Sequence, residues 1–387
     1  MRRRALTAPA CRFLNAMLHL KLTKKYSARV LACGSHRKNT VCYVNGDDAV
    51  VSDVHGDCDD ARDAAGFRAA ADRLRGLYGA PGVIAYDLHP EYLPTQYALA
   101  TNGTAKAGVQ HHHAHIAACM ADNGIDEEVI GVACDGLGYG ADGKLWGGEF
   151  FVGGYAGMRR VATIRDIMLP GGAAAIREPW RTAAALLYDA FDGDISRSGI
   201  RAPGKIGTRA IGPVVEMIEK EINTPTASSM GRLFDGISAL TGVRAVASYE
   251  GEAAIELEKA AASGVEGHYG YDIAEVDGRI TFDWRPVVRG VVKDIASRRA
   301  VSEVAALFHN TIAAAVAAIC ARIRDRHGDR RVVCAGGVFQ NRYLTRKIEE
   351  LCGKERLRLI FHKSLPQNDS SVSLGQAMIA LHLHVSR

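Results

Sequence analysis

No C-x-x-C pair occurs among the nine cysteines, which are scattered singly along the 387 residues. That excludes a sequence-readable zinc ribbon or dithiol redox motif, and single cysteines fit a reducing compartment such as the cytoplasm. No apolar run approaches the roughly 18 residues that span a bilayer, and the first 20 residues lack the apolar core and cleavage site of a secretory signal. There is no G-x-S-x-G elbow, no Walker lysine loop and no obvious Cys–His nucleophile. Acidic residues are missing from the first 46 positions, which hold ten Lys or Arg, whereas 38 basic residues face 43 acidic ones from Asp47 onward. The net charge of +5 thus combines a basic front end with a mildly acidic body. The front end reads first as a solvated terminus, with a nucleic-acid arm or an organelle-transit segment as rivals, and no function rests on it. Neither a membrane nor a nucleic acid is an expected partner.

What is present is globular: 48% hydrophobic and 24% charged residues, in a length that suits two domains. A strand at residues 29–34, a polar turn at 34–39 and a strand at 40–44 are followed by Asn45-Gly46, which reads as a hairpin turn into 49–53. A helix at 60–78 and a strand at 82–86 lead to a histidine-rich helix. A second strand–turn–strand unit follows, with strands at 128–134 and 146–152 and a glycine-rich turn at 135–144. Two such hairpins can offer backbone N–H groups to a phosphate from opposite sides of a cleft. Residues 176–259 read as mostly helical, with Ser228-Ser229 capping a helix through Leu240. A long Ala-rich helix at 301–325, a strand at 331–335, helices at 341–351 and 372–382 and a strand at 357–362 complete an α/β pattern.

In Gln110-His111-His112-His113-Ala114-His115, His111 and His115 are spaced i and i+4, so a helix projects both imidazoles from one face, a metal-ligand spacing. The competing reading is a His-rich surface turn. A zincin protease needs Glu directly after the first His; His112 stands there, and that reading fails. Asp135, opening the glycine turn, and Asp369, before the last helix, are candidate carboxylate ligands or else ordinary turn and N-cap aspartates. Gly138, Gly140 and Gly143 form a G-x-G-x-x-G, but a strand follows where a dinucleotide fingerprint needs a helix. Gly336-Gly337 follows a strand and precedes a helix, where backbone approaches a ligand. Asp235 suits ribose hydroxyls or a solvated helix face.

Together with Lys38-Asn39-Thr40, Asp87-Leu88-His89-Pro90, Leu145 to Phe150, Leu169 to Gly172, Arg177 to Arg181, Gly231 to Asp235, Ser248 to Glu252, Gly336 to Arg342 and Gln367-Asn368-Asp369, these stretches occur in one order. In that order they resemble the C-terminal transferase region of the hydrogenase-maturation carbamoyltransferases, the HypF family. The resemblance covers residues 29–381. It implies an actin-like ATPase (ASKHA) fold with two RNase-H-like lobes around a nucleotide and metal cleft. The first lobe would be residues 29–120 completed by 360–387, the second 121–359, with 1–28 a basic extension. It implies iron or zinc on His111, His115, Asp135 and Asp369. Lys38 and Asn39 would be catalytic, with Gly136 and Gly138 near the phosphates opposite them. Asp135 also belongs to the nucleotide end, Asp235 and Gly251 to the ribose, and Gly336, Gly337 and Asn341 to the adenosine. The implied reaction transfers a carbamoyl group from ATP-derived carbamoyl-adenylate to the C-terminal cysteine of a HypE-like protein. The family's acylphosphatase-like, C-x-x-C and adenylate-forming (YrdC-like) segments are not in this sequence, so the adenylate would come from another chain. An O-carbamoyltransferase acting on a small-molecule hydroxyl and a non-catalytic nucleotide-binding remnant are the alternatives. The related tRNA-modifying enzymes carry Glu where this chain has His113.

Overall fold

A computed structural model describes residues 17–200 and 211–385. Sequence expectations for residues 1–16, and for 201–210 within the helical middle, lie outside the described residues. Two sheets carry the α/β architecture. The first runs in the order β2-β1-β3-β4, from β1 (Leu18–Ala32), β2 (Cys42–Val51), β3 (Val83–Asp87) and β4 (Ala105–Val109). β1 and β2 are antiparallel, and β3 and β4 continue in parallel. Between the strands lie α1 (Ala61–Tyr78), whose first turn Asp60 caps through Arg62 N and Asp63 N, and α2 (Leu93–Ala100). Then comes α3 (His111–Asp122), capped by Gln110 through His113 N.

The second sheet begins with β5 (Val129–Tyr139), β6 (Leu145–Gly154) and β7 (Gly157–Ile164), an antiparallel meander. The short β8 (Ile167–Met168) follows, then α4 (Ala173–Arg177), α5 (Pro179–Ala190) and α6 (Ile211–Glu219). Next are β9 (Thr226–Ser229), α7 (Met230–Leu240) and α8 (Glu252–Ala260). β10 (Asp272–Val276) and β11 (Arg279–Asp283) extend one edge, and α9 (Arg285–Ala296) and α10 (Val301–His327) cover the sheet. β12 (Val332–Ala335), α11 (Arg342–Lys354) and β13 (Leu359–Ile360) complete the order β10-β11-β7-β6-β5-β12-β13, and α12 (Val372–Val385) returns to the first sheet. There its Val372, Leu374, Ala377 and Met378 share a core with Val30, Val44 and Ile116.

Two expectations need correction. Asn45-Gly46 is not a hairpin turn, because Ala49–Val51 pair with Leu18–Leu20 and not with residues 40–44. β2 therefore runs through, and Gly46, at φ +67°, absorbs the bend. For the same reason, the expected extension at 1–28 is strand from Leu18 onward. Its basic residues meet distant acids, Lys21 on Asp47 at 2.9 Å and Lys24 on Asp126, which no local pattern could announce. Finally, α10 is long and apolar enough to cross a membrane, although no uninterrupted run in the sequence is. With 83% of its most apolar window buried, it is a core helix of this fold.

Candidate active site

The expected glycine turn at 135–144 is strand as far as Tyr139 and a turn only over residues 140–144, and the irregularity of that strand matters more than the turn. β5 pairs Cys134 with Gly148 and next Gly138 with Trp146, so two extra residues bulge out of the ladder around Asp135-Gly136-Leu137. Gly147 permits this: a Cβ there would lie 2.8 Å from the Asp135 carbonyl oxygen. The bulge presents Asp135 at the carboxyl end of the parallel β5–β12 pair, where open α/β sheets bind ligands. Gly336, at φ +107°, turns β12 away, and its absent Cβ would meet the Cys134 carbonyl at 2.4 Å. The next amide, Gly337 N, donates to Asp135 Oδ1 at 3.1 Å.

That leaves Asp135 Oδ2 facing α3, 3.3 Å from His111 Nε2 and 3.3 Å from His115 Nε2. Asp369, just ahead of α12, brings Oδ1 to 3.8 Å from His111 Nε2 and 3.5 Å from His115 Nε2. Its Oδ2 accepts from Ser35 Oγ at 2.9 Å. One ligand atom from each of these four residues lies within 4.8 Å of all the others. His111 and His115 are buried, yet neither ring nitrogen of His115 has a hydrogen-bond partner. Two imidazole nitrogens and two carboxylate oxygens converging on a buried point, one of them orphaned, fit a divalent cation of the zinc or ferrous class.

Behind His111, buried Asp87 accepts from its Nδ1 at 2.7 Å through Oδ2, and its Oδ1 accepts from His89 N at 3.0 Å. This carboxylate fixes the tautomer that points Nε2 at the centre. The D-L-H-P stretch signalled the residue; its role needed the fold. Burial disfavours a charged His111, but Asp87 and Asp135 outweigh it and raise its pKa well above 6.5. Burial likewise opposes the Asp135 carboxylate, and His111 and His115 more than reverse this, pulling its pKa well below 3.8.

In front of this four-residue cluster lies a cleft of about 860 Å³ lined from both sheets. Lys38, Asp135, Gly136, Gly138, Asp235, Gly251, Gly337, Asn341 and Asp369 line it. Gly138 also has a steric duty, since a Cβ there would meet the His111 ring at 2.7 Å. Asn39 lies behind the wall, fully buried, and its Nδ2 donates to the Cys33 and Ser35 carbonyls. Asn341 caps α11 through Leu344 N and holds His309 Nε2 at 2.9 Å, so both ends of its side chain are engaged. Glu250, to which the sequence assigned no role, reaches across the cleft to Arg37 at 3.0 Å and Lys38 at 4.0 Å. On the first-sheet wall, Tyr92 stacks between His36 and His89, with ring centroids 5.0 and 4.1 Å away.

Comparison with known proteins accounts for most of this chain. Residues 131–376 match the family model described as "Carbamoyltransferase, Kae1-like Domain, second subdomain" and residues 25–122 match "HypF Kae1-like domain". Carbamoyltransferase HypF2 of Cupriavidus necator is 37% identical over 91% of this chain and 46% of its own length. A HypF homolog of the same organism is 35% identical over 91% of both chains. A crystal structure of full-length HypF in a phosphate- and nucleotide-bound form superposes with a TM-score of 0.89 at 38% identity, over 94% of this chain and 56% of that one. The chain spans about half the length of most of the curated relatives it matches. With a family model over most of its length and a relative matched nearly end to end, the chain belongs to the HypF carbamoyltransferase family.

Proposed function

We propose that the chain is a carbamoyltransferase of hydrogenase maturation. It moves the carbamoyl group of carbamoyl-adenylate to the C-terminal cysteine thiolate of a HypE-like acceptor protein, which serves the cyanide ligands of nickel–iron hydrogenase. The observation that carries this reading is the four-ligand cluster at the floor of a cleft that both sheets line. In this reading the sheets are RNase-H-like lobes of an actin-like ATPase fold, residues 29–120 with 360–387 and residues 121–359. In each, antiparallel strands continue into parallel ones, which supports it. The adenylate is supplied in trans by a separate adenylate-forming domain, and the setting is the reducing cytoplasm. All eight cysteines among the described residues are free and buried, in keeping with that setting.

His111, His115, Asp135 and Asp369 hold iron or zinc, which when bound supplies Lewis-acid polarisation of the transferred group or its phosphate. Lys38, at the cleft mouth, offers charge to the phosphate, and Asn39 acts by shaping the turn that carries Lys38. Gly136, Gly138, Gly336 and Gly337 let backbone approach the nucleotide, while Asp235 and Gly251 serve the ribose and Asn341 the adenosine end. The acceptor thiolate adds to the carbamoyl carbon, the bond from that carbon to the phosphate oxygen breaks, and AMP leaves with the electron pair. No protein nucleophile is required. The test is incubation of the purified, metal-loaded chain with carbamoyl-adenylate and the acceptor, followed by mass spectrometry of the acceptor's C-terminal peptide. Transfer by the chain that is lost in His111→Ala/His115→Ala is the expected result. No transfer, with nucleotide and metal both bound, sinks the protein-thiol acceptor.

A further inference from the structure

One hydroxyl in the cleft wall has hydrogen-bonding capacity that the proposed reaction has not used. Tyr92, at the N-cap of α2, is the middle ring of a stack. His89 lies parallel to it, 4.1 Å between centroids and 4° between planes, and His36 covers the other face at 5.0 Å and 23°. Both imidazoles are fixed in turn. His36 Nε2 pairs with Asp59 Oδ1 at 2.9 Å, and its Nδ1 accepts from Leu93 N at 3.3 Å. The amide of His89 donates to Asp87 Oδ1 at 3.0 Å, and its Nδ1 accepts from Glu91 N at 3.3 Å. With both faces covered, the Tyr92 ring meets the cleft along its edge. Its Oη has no hydrogen-bond partner among the described residues, and it is not sealed from solvent. Burial first, and then the charges of Asp87 and Asp369, hold the phenol pKa above the ordinary 10, so Oη–H is a neutral donor. The charges that bear on it are Asp87, Asp369, Arg37 and Asp135, which puts it at the end of the cleft where Asp135 and Asp369 converge. A neutral donor there suits an uncharged acceptor, whereas the cations Arg37 and Lys38 suit a phosphate.

We propose that Tyr92 is a substrate-contacting residue whose Oη–H donates to the carbonyl oxygen of the carbamoyl group. The clamp of His36 and His89 on its ring then fixes where that oxygen lies, and with it the carbon that the acceptor attacks. The proposal rests on the carbamoyl-adenylate reading above and adds the residue that recognises the transferred group.

The test is calorimetric titration of the metal-loaded full chain, wild type and Tyr92→Phe, with two stable adenylate mimics. These are adenosine sulfamate and its N-carbamoyl derivative, in which a sulfamoyl group replaces the phosphate. Tyr92→Phe removes one oxygen and keeps the ring stack. It is expected to weaken binding of the carbamoyl derivative about 3- to 10-fold, the equivalent of one hydrogen bond between uncharged groups, and to leave adenosine sulfamate within twofold. Affinities within twofold of wild type for both ligands overturn the proposal, and so do equal losses for both. A wild-type chain that binds adenosine sulfamate but not the carbamoyl derivative overturns the proposal and leaves the nucleotide reading standing. A wild-type chain that binds neither overturns both.

Discussion

Asp87→Asn isolates how much of the proposed metal site is built behind its ligands. The substitution removes no ligand and keeps the side chain's size. Its weakness is the number of acceptors: both carboxylate oxygens of Asp87 accept, Oδ2 from His111 Nδ1 at 2.7 Å and Oδ1 from His89 N at 3.0 Å. An asparagine has one carbonyl oxygen and an NH₂, so one of those two buried donors then faces another donor. An unsatisfied buried donor costs about 1–3 kcal/mol. Losing the carboxylate behind a ligating imidazole also lowers ligand basicity, and such changes typically reduce metal affinity about 10- to 100-fold. The assay is competition for zinc against a chromophoric chelator, alongside the melting temperature of the metal-free chain. The expected result is a 10- to 100-fold weaker zinc affinity with stoichiometry preserved. Zinc affinity within twofold of wild type would refute the claim that Asp87 sets the His111 tautomer.

Three further outcomes follow from separate features. Gly375 packs α12 on α3, and a Cβ there would lie 1.8 Å from the Ala114 carbonyl oxygen. Gly375→Ala should cost about 1–3 kcal/mol in a urea melt and weaken metal binding, since the two helices carry His111, His115 and, just ahead of α12, Asp369; unchanged stability would contradict the packing. Burial, partly offset by Arg232, raises the Asp235 carboxyl from 3.8 to about 6, so its stabilising contribution is full below pH 3.8 and is lost as pH rises to about 6. Asp235→Asn should therefore gain on wild type by about 3 kcal/mol between pH 3.8 and 6, read from paired denaturant melts; a pH-independent difference would rule this out. Glu250→Gln, which removes a negative charge from beside Arg37 and Lys38, should tighten pyrophosphate binding about fivefold, from roughly 1 kcal/mol of relieved competition. Unchanged or weaker binding would show that Glu250 does not compete for those cations.

Periodicity made the α/β pattern and most of the second half of the chain legible. α7 begins at Met230 with Ser229 capping Arg232 N, as the Ser228-Ser229 signal says, and α10 and α12 start at Val301 and Val372, where the pattern places them. What failed was pairing. Asn45-Gly46 carries a hairpin signal, but the partner of Ala49–Val51 lies some 30 residues upstream, and turn chemistry alone cannot weigh a strand that arrives from so far away. The glycines from Gly136 to Gly143 announced an interruption without saying where. The turn itself closes from Gly140 N to the Lys144 carbonyl at 2.8 Å, and the bulge that matters lies upstream at Asp135.

The candidate site divides along the same line. His111 and His115 are legible because one helix places both, and i, i+4 spacing is local. Asp135 and Asp369 are legible only as candidates, because nothing local brings them to the histidines until β5 bulges and the chain ahead of α12 folds back. Asp87, Ser35 and Glu250 are one step further removed: each acts through a residue that is itself placed by tertiary structure. Ser35 reaches Asp369, and Gly34 is clamped to Gln376 by two hydrogen bonds of 2.8 and 3.2 Å. The turn that carries Lys38 into the cleft and the loop that carries Asp369 to the histidine pair are therefore anchored to each other. A shift of either displaces both the cation at the cleft mouth and a ligand at its floor. In the proposed reading this coupling would keep metal and phosphate in register, because one hydrogen-bonded junction between residues 34–40 and 369–376 sets both positions.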